Sequence, residues 1–155
     1  MGLCIAMAMI MSYIESQIPA FYAIPGIKIG LANIVVVFAL YKFGWKEAVL
    51  ISFVRIFMIA TLFGSAVSLL YSVAGATLSL SGMMVMKKLN LFSEVAVSVT
   101  GGVLHNLGQI LMAMVIMGTE LLAYYFPFLM FSGILSGIVI GVLAAAMVRK
   151  MNIKL

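Results

Sequence analysis

The sequence alternates between long apolar runs and short breaks made of proline, glycine and charged residues. Leucine, isoleucine, valine, alanine and methionine dominate the runs, without the alternation of apolar and polar residues that a membrane β-barrel shows. A helix that crosses a bilayer needs about 20 apolar residues. The pattern therefore predicts an all-α membrane protein, a bundle of six transmembrane helices. The predicted spans cover about residues 3–18, 29–43, 47–63, 65–86, 92–117 and 121–148. The second run is short, and the sequence leaves open whether it crosses the membrane fully.

Basic residues predict how this bundle is oriented. The second and fourth connections and the C-terminal tail hold seven of them, whereas the first, third and fifth connections hold Lys28 alone. Cytoplasmic connections carry an excess of Lys and Arg, so both termini are expected in the cytoplasm. The seven residues are Lys42, Lys46, Lys87, Lys88, Arg149, Lys150 and Lys154.

The composition supports a membrane protein and excludes an ordinary soluble domain. Hydrophobic residues make up 66% of the 155 positions and charged residues 8%, with a mean hydropathy of +1.30. Soluble domains carry about 25% charged residues. We expect a single integral domain over residues 1–155 of the cell membrane, in contact with lipid. Its first run is expected to be a retained span rather than a signal peptide, because no basic residue precedes it. The net charge of +5 is attributed to the basic residues that orient the chain in the membrane, and no nucleic acid partner is expected.

Polar residues inside apolar runs mark a candidate binding pocket. Ionisable side chains within spans are costly and usually face the bundle interior or a wet cavity. In the predicted orientation these residues fall in the outer half or near the middle of the membrane, which predicts a pocket open to the outside. The candidates are Glu15, Lys28, Asn33, Arg55, His105, Asn106 and Gln109. Arg55 and Lys28 would attract an anionic group, and His105 with Asn106 would supply hydrogen bonds.

Each candidate also has a structural explanation that the sequence leaves open. Arg55 and Glu15 could form an internal ion pair that fixes helix packing. His105 and Asn106 could cross-link helices through hydrogen bonds. Lys28 could anchor the chain at the membrane interface.

Several chemistries lack the residues they need. The chain contains no aspartate, and its four glutamates do not cluster in the sequence. Carboxylate clusters normally hold the Mg²⁺ of diphosphate chemistry, so no metal, no cofactor and no catalytic residue is predicted. The phosphate-binding loop motif of ATPases is also absent. Cys4 stands alone and cannot form an intramolecular disulfide.

Small residues recur at four-residue spacing, a pattern that lets helices approach closely in lipid. Such stripes occur in the fourth and sixth runs and, in the first, at Cys4, Ala8 and Ser12. Packing within the chain is one explanation that the sequence leaves open for any single stripe. The stripe of the first run is also the best candidate for docking another membrane subunit.

Several sequence blocks resemble the Gx transporter family, which is also labelled heptaprenyl diphosphate synthase component I. The resemblance rests on residues 25–33 (Pro-Gly-Ile-Lys-Ile-Gly-Leu-Ala-Asn), 39–41 (Ala-Leu-Tyr), Gly44, 46–48 (Lys-Glu-Ala), 71–75 (Tyr-Ser-Val-Ala-Gly) and 105–109 (His-Asn-Leu-Gly-Gln). That family is similar in size and topology to the substrate-binding S components of energy-coupling factor transporters. The resemblance implies a six-helix bundle that binds a small molecule from outside. It also implies docking, through small residues of the first helix, on a T subunit and two ATPases.

We therefore predict an S-component-like subunit of an ATP-driven uptake transporter. The alternative is a non-catalytic membrane partner in heptaprenyl diphosphate or menaquinone synthesis, with a prenyl chain bound among the methionines. A purely structural subunit of a redox or transport complex is a third interpretation.

Overall fold

Six α-helices follow one another along the chain in the computed structural model, which describes residues 1–17 and 30–151. Every regular element in these two ranges is helical. The helices are α1 (Gly2–Gln17), α2 (Asn33–Lys42), α3 (Trp45–Phe63), α4 (Ala66–Leu89), α5 (Glu94–Met117) and α6 (Phe126–Lys150). A 3₁₀ segment, Glu120–Tyr125, leads into α6. The helix count agrees with the predicted one. Lys28 and Lys154 lie outside the described residues.

The ends of the longer helices follow from local side-chain chemistry. Ser65 and Ser93 cap α4 and α5, each hydroxyl accepting a hydrogen bond from a backbone N–H of the first turn at 3.2 Å. At their other ends, Asn90 and Gly118 adopt left-handed backbone conformations, with φ of 54° and 62°. These are residues that tolerate this conformation and commonly end helices. Pro127 lies in the first turn of α6, where its missing N–H leaves no bond unmade.

Within residues 1–17 and 30–151, three segments are long and apolar enough to cross a membrane: α4, α5, and the 3₁₀ segment with α6. Helix α3 has 19 residues but also carries Lys46, Glu47 and Arg55. Helix α2 has ten residues, a length of about 15 Å, which is half the hydrocarbon thickness of about 30 Å. The described helix α2 therefore cannot cross a bilayer by itself.

Helix α2 forms the centre of the bundle. Seven consecutive residues, 34–40, are buried, and α2 packs on α1, α3 and α6. A helix that is apolar on all sides is stable only inside a larger structure. Around it, large apolar side chains are exposed along each of the other five helices, as with Val115 (77% exposed) and Phe131 (61%). An apolar outer surface of this kind suits a lipid environment.

Helix α5 packs closely between α4 and α6 because glycines line both contacts. A methyl group added at Gly102 would lie 2.5 Å from the Gly133 carbonyl oxygen of α6. One added at Gly108 would lie 2.6 Å from the Ala74 carbonyl oxygen of α4. The backbones thus touch directly, as small-residue stripes in membrane helices allow.

Apart from Arg55, the basic residues among the described residues gather at one end of the bundle, which we call the basic end. It is formed by the last turns of α2, α4 and α6 and the first turn of α3. Lys42 donates a hydrogen bond to the Met151 carbonyl oxygen at 2.8 Å, and Lys87 donates one to the Leu40 carbonyl oxygen. The α3–α4 junction and the 3₁₀ segment lie at the opposite end.

Candidate functional site

A polar cavity lies between α1, α2, α3, α4 and α5. Its volume is about 70 Å³, counted as the space open to the centre of a water molecule. Because one water needs about 10–15 Å³ by this measure, the cavity has room for roughly five. It is lined by Ser12, Glu15, Gly30, Asn33, Arg55, Ile56, Ile59, Ala60, Ser68, Ser72 and His105.

The chain direction explains why these residues meet. Ser12 and Glu15 lie near the end of α1, whereas Asn33 begins α2 and Ser68 lies in the first turn of α4. Arg55 lies in the second half of α3. All of these positions lie toward the end of the bundle opposite the basic end. The cavity is therefore set toward that opposite end.

Arg55 supplies the guanidinium of the cavity and is buried, with 8% of its surface exposed. Its Nη1 donates a hydrogen bond to the Ser12 hydroxyl at 3.2 Å. Its Nε is buried and has no hydrogen-bond partner among the described residues. The Glu15 carboxylate attracts the guanidinium electrostatically. This attraction agrees with the internal pairing considered from the sequence, yet it leaves one Arg55 donor unsatisfied.

Glu15 joins α1 to the segment that leads into α2. Glu15 is 7% exposed, and its carboxylate accepts a hydrogen bond from the Gly30 backbone N–H. Gly30 has a φ of +79°, a conformation that favours glycine. A carboxylate close to the start of α2 also benefits from the positive end of the helix dipole. Glu15 therefore fixes one wall of the cavity as well as lining it.

Asn33 and His105 connect this cavity to a second, smaller one. Both residues line each cavity, and the second lies between α2, α4, α5 and α6. Asn106 lines the second cavity and donates a hydrogen bond from Nδ2 to the Leu129 carbonyl oxygen of α6 at 2.7 Å. This bond cross-links α5 and α6, which is one of the two roles that the sequence left open for Asn106.

The structure brings together some of the predicted site residues and separates others. Glu15, Asn33, Arg55 and His105 line the main cavity, and Asn106 lies at its smaller neighbour. Gln109 is buried against Gly75 of α4, outside the lining of both cavities. Lys28 falls outside the described residues. That these side chains bind a substrate stays a prediction.

The small-residue stripe of α1 faces into the bundle. Ala8 has no exposed surface, Cys4 packs against the hydrophobic core, and Ser12 accepts the hydrogen bond from Arg55. Packing within the chain accounts for the stripe in this arrangement. Ala8 in particular has no surface with which to meet another subunit. Docking of a partner on Cys4, Ala8 and Ser12 stays a prediction.

Three serine hydroxyls of the main cavity did not figure among the predicted site residues. Ser12 was assigned to a docking face, and Ser68 and Ser72 belonged to the small-residue stripe of α4. Serine occurs both on packing faces and in polar sites of membrane helices, so its spacing alone cannot separate the two uses. The sequence did carry one indication of this. Ser68 and Ser72 lie one turn apart on the same face of α4, in the part of that helix at the end of the bundle opposite the basic end.

The donor set limits the chemistry that this site can support. No three His, Cys, Asp or Glu side chains in residues 1–17 and 30–151 come together to hold a metal ion. The cavity instead offers one guanidinium, one carboxylate, one imidazole, one amide and three hydroxyls. Such a set can bind a small polar molecule through charge and hydrogen bonds.

The fold and the cavity define an all-helical, multi-pass membrane protein with a polar cavity inside its bundle. The chain belongs to the heptaprenyl diphosphate synthase component I family, whose model matches residues 4–147. This confirms the family inferred from the sequence. No curated protein and no solved structure matches the chain. The family's description names one component of a synthase and so implies a partner component.

Proposed function

We propose that this protein is a substrate-binding membrane subunit of an ATP-driven uptake transporter, similar to the S components of energy-coupling factor transporters. The observation that carries the proposal is the polar cavity around Arg55. Buried ionisable residues inside membrane helices are expensive and mark substrate pathways or binding sites. Here Arg55, Glu15, Asn33 and His105 come from four different helices and meet at one cavity.

The charge distribution supports uptake from the outer face. The basic end carries Lys42, Lys46, Lys87, Lys88, Arg149 and Lys150, and cytoplasmic ends of membrane helices are enriched in such residues. In this orientation both termini lie in the cytoplasm and the Arg55 cavity is set toward the outside. A solute could therefore enter the cavity from the outside.

Transport would require partners that hydrolyse ATP. The sequence lacks the phosphate-binding loop motif, so this chain would provide recognition while two ATPases and a T subunit provide energy coupling. On this proposal the chain has no catalytic role of its own.

A second candidate function is a non-catalytic membrane partner in heptaprenyl diphosphate or menaquinone synthesis. The family's description favours it directly. The cavity argues for transport instead, because a space of about 70 Å³ is far too small for a heptaprenyl chain. On this alternative the apolar prenyl chain would lie against the lipid-facing surface, among exposed side chains such as Met58 and Met130.

Affinity purification from native membranes in mild detergent, followed by protein identification, tests the two functions. Copurification of a T subunit with paired ATPases is the expected result. Recovery of a prenyl diphosphate synthase subunit without ATPases would overturn the transporter proposal in favour of the second candidate. A matched purification from cells that lack the tag identifies proteins that bind the resin alone.

A further inference from the structure

We propose that the smaller cavity, between α2, α4, α5 and α6, is a binding site for one buried water molecule that bridges α4, α5 and α6. The inference does not depend on the proposed function, because this water occupies the smaller cavity and not the main one. It follows from two buried hydroxyls, from two acceptors beside them and from the volume of the cavity. The groups that bind the water are those of Ser79, Ser98, Asn106 and Ser136.

Ser79 of α4 and Ser98 of α5 contribute the buried hydroxyls, and each residue is 3% exposed. Neither hydroxyl has a hydrogen-bond partner among residues 1–17 and 30–151, and neither oxygen is sealed off from the cavity that it lines. Buried polar groups in native proteins nearly always have a partner, either another protein group or an ordered water. The two serines therefore call for a partner inside the cavity.

Hydroxyls elsewhere on α4 and α5 are satisfied within their own helix. Thr77 and Ser81 of α4 and Thr100 of α5 each donate to the carbonyl oxygen four residues earlier, at 2.7, 2.8 and 3.0 Å. Serine and threonine commonly form this bond inside helices. Ser79 and Ser98 make no such bond and line the cavity instead.

Two acceptors line the same cavity. Asn106 uses its Nδ2 donor on the Leu129 carbonyl oxygen, so its Oδ1 remains as an acceptor. Ser136 of α6 donates to the Gly133 carbonyl oxygen at 3.3 Å, which leaves the lone pairs of its own oxygen. A water molecule donates two hydrogen bonds and accepts two. Two serine donors and two acceptors therefore match what one water offers.

The size of the cavity fits one water. Its volume is about 20 Å³ by the measure used for the main cavity, and one water needs about 10–15 Å³. The lack of a side chain at Gly101 keeps this space open, because a methyl group there would lie 2.6 Å from the Met83 Sδ and 3.2 Å from the Ser79 Oγ. Asn33 and His105 line both cavities, so the two spaces adjoin and water has a way in.

A neutral molecule suits this cavity better than a metal ion does. No acidic side chain of the described residues lines it. A sodium ion would give up its hydration shell for neutral oxygens alone, and a buried charge without an opposite charge is costly. Sodium is therefore the informative competing ligand in the test.

A high-resolution structure of the purified full-length protein in lipid nanodiscs tests the site directly. The sample is prepared with choline chloride as its only salt. We expect a density peak about 2.6–3.0 Å from the hydroxyl oxygens of Ser79 and Ser98. The absence of a peak there would overturn the proposal. So would a peak that appears only when sodium is present, because the ligand would then be the ion.

A pair of substitutions tests whether one molecule joins the two serines. Ser79→Ala and Ser98→Ala should each lower the melting temperature in detergent. The double variant should lower it by clearly less than the sum of the two shifts, because the second substitution removes a bond to a water that the first has already weakened. If neither single variant lowers the melting temperature, or if the two shifts add, the serines share no ligand and the proposal fails.

Ser81→Ala is the matched control for Ser79→Ala. Ser81 lies on the exposed side of α4, and its hydroxyl donates to the Thr77 carbonyl oxygen. Combined with Ser98→Ala, it should give a shift equal to the sum of the two single shifts. A shortfall in this pair as large as in the first would overturn the assignment to a shared water. The structure of the unchanged protein needs no variant, so a folding defect in any of them does not affect it.

Discussion

Asn106 carries a buried hydrogen bond between α5 and α6. Its buried amide links α5 to the Leu129 carbonyl oxygen of α6 at 2.7 Å. We expect Asn106→Ala to lower the free energy of unfolding by about 1–3 kcal/mol, because the bond is lost and the packing loosens. Asn106→Asp should cost more, since a carboxylate oxygen would then face the carbonyl oxygen. Apparent melting temperatures in one detergent measure both effects.

Gln17→Ala provides the control for these Asn106 variants. Gln17 is an exposed amide at the end of α1, and its removal should leave the melting temperature within about 2 °C, because exposed substitutions rarely change stability by more than about 0.5 kcal/mol. An Asn106→Ala protein as stable as the wild type would show that the amide bond is unimportant.

Single residues of the main cavity could be found from the sequence where their burial is costly. Glu15, Asn33, Arg55 and His105 are conspicuous within apolar runs, and the structure places all four at the main cavity. Gln109 is equally polar but packs against Gly75, because the arrangement of the neighbouring helices decides which surface its side chain meets. The free-energy cost of burying a polar side chain therefore marks the residue as structurally or functionally important, whereas the packing of the helices decides what it contacts.

At the scale of helices, the end of α2 depends on Lys87 of α4. Leu40 is fully buried, and its carbonyl is one of the last four in α2, which have no partner within the helix. Lys87 donates to this carbonyl and also lies 5.1 Å from the centre of the Tyr41 ring. We expect Lys87→Met to lower the free energy of unfolding by about 1–3 kcal/mol, measured as a lower melting temperature in detergent.

Lys88→Met is the matched control, because Lys88 is the neighbouring residue and its side chain is exposed. The two variants remove the same charge and add the same apolar side chain. If both lowered the melting temperature equally, net charge and not the bond to Leu40 would be responsible.

The contact between α5 and α6 depends on the absence of a side chain at Gly102. A methyl group there meets the Gly133 backbone at 2.5 Å, and backbone cannot move aside as a flexible side chain can. We expect Gly102→Ala to destabilise the protein by about 1–3 kcal/mol through overpacking. Thermal unfolding in detergent checks this, with Gly2→Ala as control because nothing lies within 4 Å of a methyl group there. A Gly102→Ala protein that melts like the wild type would contradict the close contact.

The sequence predicted the existence of the helices better than their roles. Apolar periodicity and glycine, proline and charge breaks indicate six helices, and the structure has six in the described residues. The run predicted over 29–43 forms α2 only over Asn33–Lys42, because Gly30 turns with a positive φ before the helix begins. The inward face of α1 was beyond prediction, since several of its faces are similarly apolar and only the neighbouring helices distinguish them.

For the molecule as a whole, the separation between the basic end and the Arg55 cavity predicts an orientation that can be measured. Cys4 is the only cysteine, so Cys4→Ser gives a background for single cysteines. Tyr124→Cys lies on the 3₁₀ segment, where Tyr124 is 83% exposed, whereas Trp45→Cys and Met151→Cys lie at the basic end and keep every basic residue. In intact cells a membrane-impermeant maleimide should label position 124 alone. Positions 45 and 151 should react only after permeabilisation, because the basic end is expected in the cytoplasm. The opposite pattern would set the Arg55 cavity toward the cytoplasm and contradict capture of a solute from outside. Labelling of all three positions in intact cells would instead contradict a bundle whose two ends lie on opposite sides of the membrane.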